Sequence, residues 1–319
     1  MLKLDPALFR PEAVPADVAA FNADLEAKLA DGPAMHESPA AVVRQAREEG
    51  RSIVPSGGPL ATGSDYRDVP TPMERVRVSL PEGDPTGVFI HLHGGGWTMG
   101  APHIADEWCQ YLAREAGCAV VSVPYRLGPE ERWPACADDA EAGAKWALEA
   151  AAAEFGTDRV AIGGESAGAH LAAVTLLRLR DQGVSGIGGA LLHYGVFDLA
   201  MTPSAANWGE RNMILSTPTI RWFQENLTGE AEDLRDPKWS PLYADLTDMP
   251  PALFQCGTVD PLIDDTLMMA GRWAGSGAAT ELEIYPGAVH AFEMFPTEQA
   301  AVARATGAAF LRRVFGGEA

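Results

Sequence analysis

Short apolar runs alternate with longer segments of helical spacing through most of this chain. Strand-like runs stand at "CAVVSVPY", "RVAIGGE", "GALLHYGVF", "PALFQCG" and "TELEIYPG". Between them the pattern predicts helices near residues 104–116, 136–154, 167–182 and 262–275, with a last one near 297–315. β-Branched runs alternating with helices imply parallel βαβ units, so the predicted fold class is α/β, a mostly parallel central sheet with helices on both faces. Upstream, "MERVRVSLPEGDPTGVFIHLHG" reads as two strands around a Pro/Gly/Asp turn and predicts an antiparallel pair.

Two regions break that rhythm. In the first sixty residues, "VPADVAAFNADLEAKLADG" has helical spacing and a glycine stop, and "SPAAVVRQAREEG" opens at Ser38–Pro39 and closes at Gly50. Residues 199–248 hold "STPTIRWFQENLTG", a helix with Ser216 or Thr217 as cap, Pro218 in its first turn and Gly229 as stop. The expected organisation is therefore N-terminal cap helices over 1–60, an α/β unit formed by 61–198 and 249–319, and an inserted cap segment at 199–248. Together the two extra regions predict a lid over one end of the sheet.

Composition narrows the partners. With 319 residues and 47% of them hydrophobic, the chain can bury one large core. The 44 acidic residues outnumber the 24 basic ones, for a net charge of −20. Such a surface repels phosphate backbones and anionic headgroups, which disfavours nucleic acid and membrane partners. No charge-free apolar run reaches the roughly 18 residues of a membrane span. "MLKLDPALFRPEAVPADV" puts prolines and acids where a secretory signal needs an apolar stretch, so a cytoplasmic location is expected. Cys109, Cys118, Cys136 and Cys256 form no C-x-x-C pair and read as reduced, buried thiols rather than a disulfide frame or zinc site.

Candidate chemistry gathers at strand ends. Gly163–Gly164–Glu165–Ser166–Ala167–Gly168 closes a strand-like run and opens a helical one, the context of a nucleophile elbow. The turn is so tight that the positions two before and two after the serine must be nearly free of side chain, as Gly164 and Gly168 are. A glycine-rich turn with Ser166 capping the helix is the plainer alternative. A phosphate loop fits poorly, because no Lys-Ser/Thr follows the glycines.

In "FIHLHGGGWTMG" a strand runs into His93, Gly94, Gly95, Gly96 and Trp97, leaving several backbone N–H groups unscreened. Donors of that kind, aimed where an oxyanion forms, contribute on the order of 3–4 kcal/mol each. His91 and His93 also form an H-x-H pair, but glycines follow where further metal ligands would be needed, so no metal is expected. Of seven histidines, only His290, in "YPGAVHAFEMF", lies on a loop after the last strand-like run. Two acids compete to orient it: Asp260 in "FQCGTVDPLIDD" and Asp198 after "LLHYGVF", both at strand ends. Asp260 also stands where a helix cap belongs.

Taken in order, "HGGGW", "YRLGPEERWPACADDA", "GGESAGAH", "DPLIDD" and "HAFEMF" make the chain resemble the hormone-sensitive-lipase-like branch of α/β-hydrolases, mostly microbial esterases. The likeness runs from about Phe89 to Phe295. It implies an α/β-hydrolase fold with Ser166 as nucleophile, His290 as base and Asp260 as acid. Gly95, Gly96 and Ala167 would form the oxyanion hole, with Gly94 shaping it. Glu165 departs from the Asp or Thr more usual before the serine. The tract holding Tyr125, Pro129, Pro134 and Asp138 would brace the loop beside the site, and His93 would frame the glycine loop.

Trp97, Met99, Tyr194, Phe197, Trp208, Trp222 and Phe223 are candidate pocket residues, as is Glu165. The expected activity is hydrolysis of short acyl esters without cofactor or metal, acting on a small-molecule ester. An amidase, lactonase or deacetylase on the same scaffold is the alternative. A non-catalytic ligand-binding member of the fold is the alternative from another class, opposed by retention of His290. The alternating stretch Thr280–Tyr285, last in the sheet, offers an edge for a homodimer.

Overall fold

Among the described residues, eight strands form a single sheet in the order β1-β2-β4-β3-β5-β6-β7-β8. They are β1 (Ser64–Asp68), β2 (Arg75–Ser79), β3 (Val88–Leu92), β4 (Ala119–Ser122), β5 (Val160–Glu165), β6 (Ile187–His193), β7 (Ala252–Val259) and β8 (Thr280–Val289). The computed structural model describes residues 2–54, 64–231 and 233–316. The expected boundary between residues 60 and 61 lies outside the described residues.

From β4 to β8 every pairing is parallel, while β1 and β2 are antiparallel to their neighbours. The expected β2–β3 hairpin is not formed. β4 lies between them, antiparallel to β2 and parallel to β3, with Val121 facing both Val78 and Ile90. β3 is buried throughout, so it needs a partner on each side, and a Pro/Gly turn alone does not choose which strand supplies it.

Two helical layers cover the sheet. Val88, Ile90 and Leu92 join the core that includes Ala140 and Ala144 of α4 (Ala135–Phe155) and Leu171 of α5 (Ala167–Asp181). Phe89, between them in sequence, faces the other way, toward Leu112 of α3 (Asp106–Ala116) and Leu311 of α9 (Glu298–Val314). This period-two alternation inside a wholly apolar strand divides the molecule into layers. α8 (Ile263–Gly275) adds Met269, Ala270 and Trp273 to the first layer. Local signals set the helix ends: α3 and α4 stop at Gly117 and Gly156, both left-handed, and Thr297 Oγ1 accepts the Ala300 N–H to open α9.

The remaining helices gather over the carboxyl ends of the strands. α1 (Ala16–Ala30) and α2 (Ala40–Glu48) precede the sheet, and α6 (Pro203–Asn207) and α7 (Thr217–Thr228) lie between β6 and β7. α7 starts where the sequence signals, with Ser216 accepting from the Thr219 N–H. The two regions are tied together: Arg211 pairs with Glu26 at 2.7 Å, and His36 Nδ1 lies 3.1 Å from Thr219 Oγ1. Leu25 of α1 shares a buried cluster with Met213 and Ile214 of the insertion and with Phe292 and Phe295 after β8. Among the described residues no helix is long and apolar enough to cross a membrane.

Candidate active site

Ser166 occupies the single residue between β5 and α5, with φ 56° and ψ −116°. A non-glycine residue at positive φ is strained, and the surroundings enforce it. The Ser166 N–H donates to the His193 carbonyl at 2.9 Å, and the Ser166 carbonyl accepts from the His170 N–H at 3.1 Å. A Cβ on Gly164 would come within 2.0 Å of the Leu92 carbonyl oxygen, and one on Gly168 within 1.8 Å. Only hydrogen fits at either position, which is the steric reason for the Gly-x-Ser-x-Gly spacing.

The serine hydroxyl meets a histidine that an aspartate holds from behind, both carried by the last two strands. His290, just past β8, brings Nε2 to 3.0 Å from Ser166 Oγ. Its Nδ1 lies 2.8 Å from Asp260 Oδ2, on the loop after β7. Asp260 is fully buried, and its other oxygen accepts the Leu262 N–H at 2.9 Å. That bond closes the turn ahead of α8, whose cap position is Leu262 and carries no side-chain cap, so Asp260 faces the histidine without capping the helix. Asp198 is engaged elsewhere, accepting from the Ala200 N–H and the Tyr243 hydroxyl, both at 2.8 Å.

The glycine loop lies opposite. Gly95 and Gly96 have φ 123° and 59°, and a Cβ on Gly96 would strike the Phe223 ring at 2.2 Å. None of the backbone hydrogen bonds among the described residues uses the N–H of Gly95, Gly96 or Ala167. The last heads α5, where donors are left over by the helix geometry. The loop is framed from behind. Tyr125 donates its hydroxyl to the His93 carbonyl at 2.6 Å and stacks on the His93 ring at 4.1 Å. His93 Nδ1–H donates to the Gly94 carbonyl at 2.9 Å, and burial pulls its pKa down to about 3, so the ring is neutral. From the other side, Arg44 Nη1 donates to the Thr98 carbonyl at 3.2 Å, and the Gly128 N–H donates to the Trp97 carbonyl at 2.8 Å.

A cavity of about 400 Å³ opens over Ser166 and His290, with Gly94, Gly95 and Gly96 in its wall. Of the candidate pocket residues, Glu165, Tyr194, Phe223 and Met99 line it. Four aromatic candidates do not. Trp97 points into the core, donating Nε1–H to His170 Nδ1 at 3.1 Å, and Phe197 packs edge-on against Phe254. Trp208 donates to the Arg211 carbonyl at 2.7 Å, and Trp222 lies behind Phe223 with ring centroids 5.0 Å apart. Hydrophobicity marks a side chain for burial but does not tell core from pocket wall.

Glu165 is held under the elbow. Its carboxylate accepts from His91 Nε2 at 3.0 Å and from Trp108 Nε1 at 2.7 Å, while His91 Nδ1 lies 2.8 Å from Ser122 Oγ. Burial opposes both charges; against it, Cys109 and then Glu165 raise the histidine, and His91 lowers the glutamate. The H-x-H pair is thus split between a buried ion pair and a backbone bond. Among the described residues no three His, Cys, Asp or Glu side chains are grouped to hold a metal ion.

Sequence reasoning did not single out Glu293, three residues after His290. It lines the cavity, and its Oε1 accepts from the Tyr194 hydroxyl. The Tyr194 ring packs at 4.7 Å against that of His290. Burial pushes the Glu293 pKa up to about 8, and its Oε2 has no partner. Trp108 and Arg47 were missed as well. Each sits on a helix whose exposed-looking pattern hides a side chain turned inward, so no local signal marks it.

An elbow serine, a histidine and an aspartate in line, facing free N–H groups at the carboxyl edge of a parallel sheet, define an α/β-hydrolase site. Residues 89–294 match the model of a family described as having the alpha/beta hydrolase fold, and the chain belongs to that family, in its hormone-sensitive-lipase-like branch. It is 35% identical over 219 residues to Carboxylic ester hydrolase LipN of Mycobacterium tuberculosis, a match covering 66% of this chain and 58% of that protein. It is 33% identical over 220 residues to Ethyl acetate hydrolase of Pseudomonas putida, covering 66% and 69%. Among solved structures, the hyperthermophilic esterase of the archaeon Pyrobaculum calidifontis superposes with a TM-score of 0.84 at 29% identity, covering 94% of this chain and 98% of that one.

Proposed function

We propose that this carboxylic ester hydrolase is a serine esterase of short acyl esters, working through an acyl-enzyme on Ser166. The observation that carries the reading is the unbroken line Ser166 Oγ–His290–Asp260, at 3.0 and 2.8 Å, inside a cavity walled by the glycine loop. His290 Nε2 takes the Ser166 proton as Oγ attacks the ester carbonyl, and Asp260 keeps the Nδ1 proton in place and stabilises the imidazolium. The carbonyl oxygen gains negative charge among the N–H groups of Gly95, Gly96 and Ala167, helped by the amino end of α5. His290 then protonates the leaving alcohol. Water, deprotonated by the same ring, cleaves the acyl-enzyme and restores the serine. No step requires a cofactor or metal.

The same reading divides the chain into a catalytic unit, 61–198 with 249–319, and a cap made of 1–60 and 199–248. The four free, buried cysteines support a reducing, cytoplasmic setting.

Acyl length follows from the cap. Phe223 lines the cavity and Trp222 packs against it, and on this reading that aromatic pair is the wall that limits the acyl chain. Each methylene that fits adds about 0.8 kcal/mol, so selectivity rises until the pocket is full. A panel of p-nitrophenyl esters is expected to peak at roughly two to six acyl carbons by that increment, with negligible hydrolysis of emulsified long-chain triglyceride. A profile still rising at decanoyl, with activation at an oil–water interface, would identify a lipase instead.

A further inference from the structure

Among the described residues three arginines line the cavity: Arg47, Arg114 and Arg304. Two are committed. Arg114 Nε donates to Glu115 at 2.9 Å and Arg304 Nη1 to the Glu293 carbonyl at 2.5 Å, and both lie over the Tyr111 ring. Arg47 is different. Its side chain makes no hydrogen bond or ion pair with any described residue, and its Nε is buried without a partner.

The chain is rich in acids, and other arginines are paired with them, Arg77 with Asp106 at 2.5 Å and Arg126 with Asp139 at 2.9 Å. Around Arg47 the acids are turned to other partners. Glu48, next in sequence, lies 3.1 Å from His103 Nε2. Of the cavity acids, Glu165 is held by His91 and Trp108 and Glu293 by Tyr194, and Glu107 makes no ion pair with it. Burial presses the Arg47 pKa down from its usual value, with Tyr125 and Glu48 opposing in part. A half-buried guanidinium without a counter-charge is costly to keep. Its position is nonetheless fixed. Arg44, three residues earlier on α2, is bonded to the glycine loop and to Glu130, which sets that helix face against the active site.

We propose that Arg47 is the anion-recognition residue of the substrate pocket, and that the enzyme acts on esters carrying a carboxylate in their acyl or alcohol part, such as monoesters of dicarboxylic acids. The proposal rests on the ester-hydrolase reading of the site. A planar carboxylate can accept two N–H groups of one guanidinium together, the bidentate pairing that guanidinium favours. The net charge of −20 makes the discrimination local, since the surface as a whole repels anions.

The test compares each anionic ester with a neutral ester of the same shape. Monoethyl succinate is set against ethyl 4-oxopentanoate for the acyl side, and acetoxyacetate against acetoxyacetone for the alcohol side. kcat/KM is followed by acid release for wild type, Arg47→Met, Arg47→Gln and Arg47→Lys. The ratio within each pair cancels any general loss of folded enzyme. In at least one pair the Met and Gln variants are expected to lower the anionic-to-neutral ratio by about ten-fold or more, the scale of a lost charge-assisted hydrogen bond, and Lys to restore part of it. Ratios within about two-fold of wild type in both pairs would overturn the proposal. If wild type hydrolysed none of the four esters, the esterase reading itself would fall, a result distinct from a flat ratio.

Discussion

Replacing Glu293 by Gln changes how stability depends on pH, and the structure gives the sign and the scale. The Glu293 carboxyl is buried beside Tyr194, with a pKa raised from an ordinary 4.5 to about 8. Below pH 4.5 it is protonated whether the chain is folded or not. As pH rises further, the unfolded chain releases this proton while the folded one keeps it, so folding becomes steadily less favourable. The loss continues until the folded carboxyl also ionises near pH 8 and then levels off. At 1.36 kcal/mol for each pH unit of that interval, the total is on the order of 5 kcal/mol, a large share of a domain's net stability.

Glutamine keeps the shape and still accepts from the Tyr194 hydroxyl, but it has no proton to lose. Urea unfolding of wild type and Glu293→Gln at pH 5, 6, 7 and 8 is the assay. Asp265, also buried and raised to about 7, tilts both proteins alike, so the difference between their slopes belongs to Glu293. The variant is expected to gain on wild type progressively toward pH 8. Parallel slopes would show that Glu293 is ionised in the folded protein and that the Tyr194–Glu293 pair carries a charge.

Asp260→Asn should leave the geometry intact but favour the wrong His290 tautomer, costing about 10⁴ in turnover by analogy with the serine-protease triad. Asp198→Asn, whose partners are Ala200 and Tyr243, should cost far less; a reversed order in ester assays would exchange the two acids. β8 is an edge strand, and we expect it to pair with its copy, giving a dimer by size-exclusion chromatography with light scattering at micromolar concentration. A monomer there would refute that pairing.

Local chemistry in this chain was legible where backbone and side chain impose the same demand. Gly164 and Gly168 announce the elbow because a Cβ at either would collide with Leu92, and strand ends announce Ser166, Asp260 and His290 because the parallel sheet delivers them to one edge. Helix limits were legible through Ser216, Pro218 and Gly229, each acting on its own turn. Strand order was not, because β2 and β3 each need neighbours, and only the packed sheet puts β4 between them. The pocket wall was hardest to read. Trp97 and Phe223 look equally apolar in sequence, yet the first is bonded to His170 in the core and the second lines the cavity. Arg47 and Glu293 stand in polar surroundings in sequence, and only their inward orientation sets them apart.

The central claim is that Ser166 Oγ attacks the ester and carries the acyl group. It is tested most directly by incubating wild type and Ser166→Ala with an organophosphate and locating the label by peptide mass, alongside p-nitrophenyl butyrate turnover. The account predicts one label, on Ser166, with loss of activity in step with labelling and no effect of chelators. In Ser166→Ala it predicts no label and turnover lowered by on the order of 10⁴-fold or more in a folded protein. Full turnover in that variant, or a label on any other residue that abolishes activity, would contradict it.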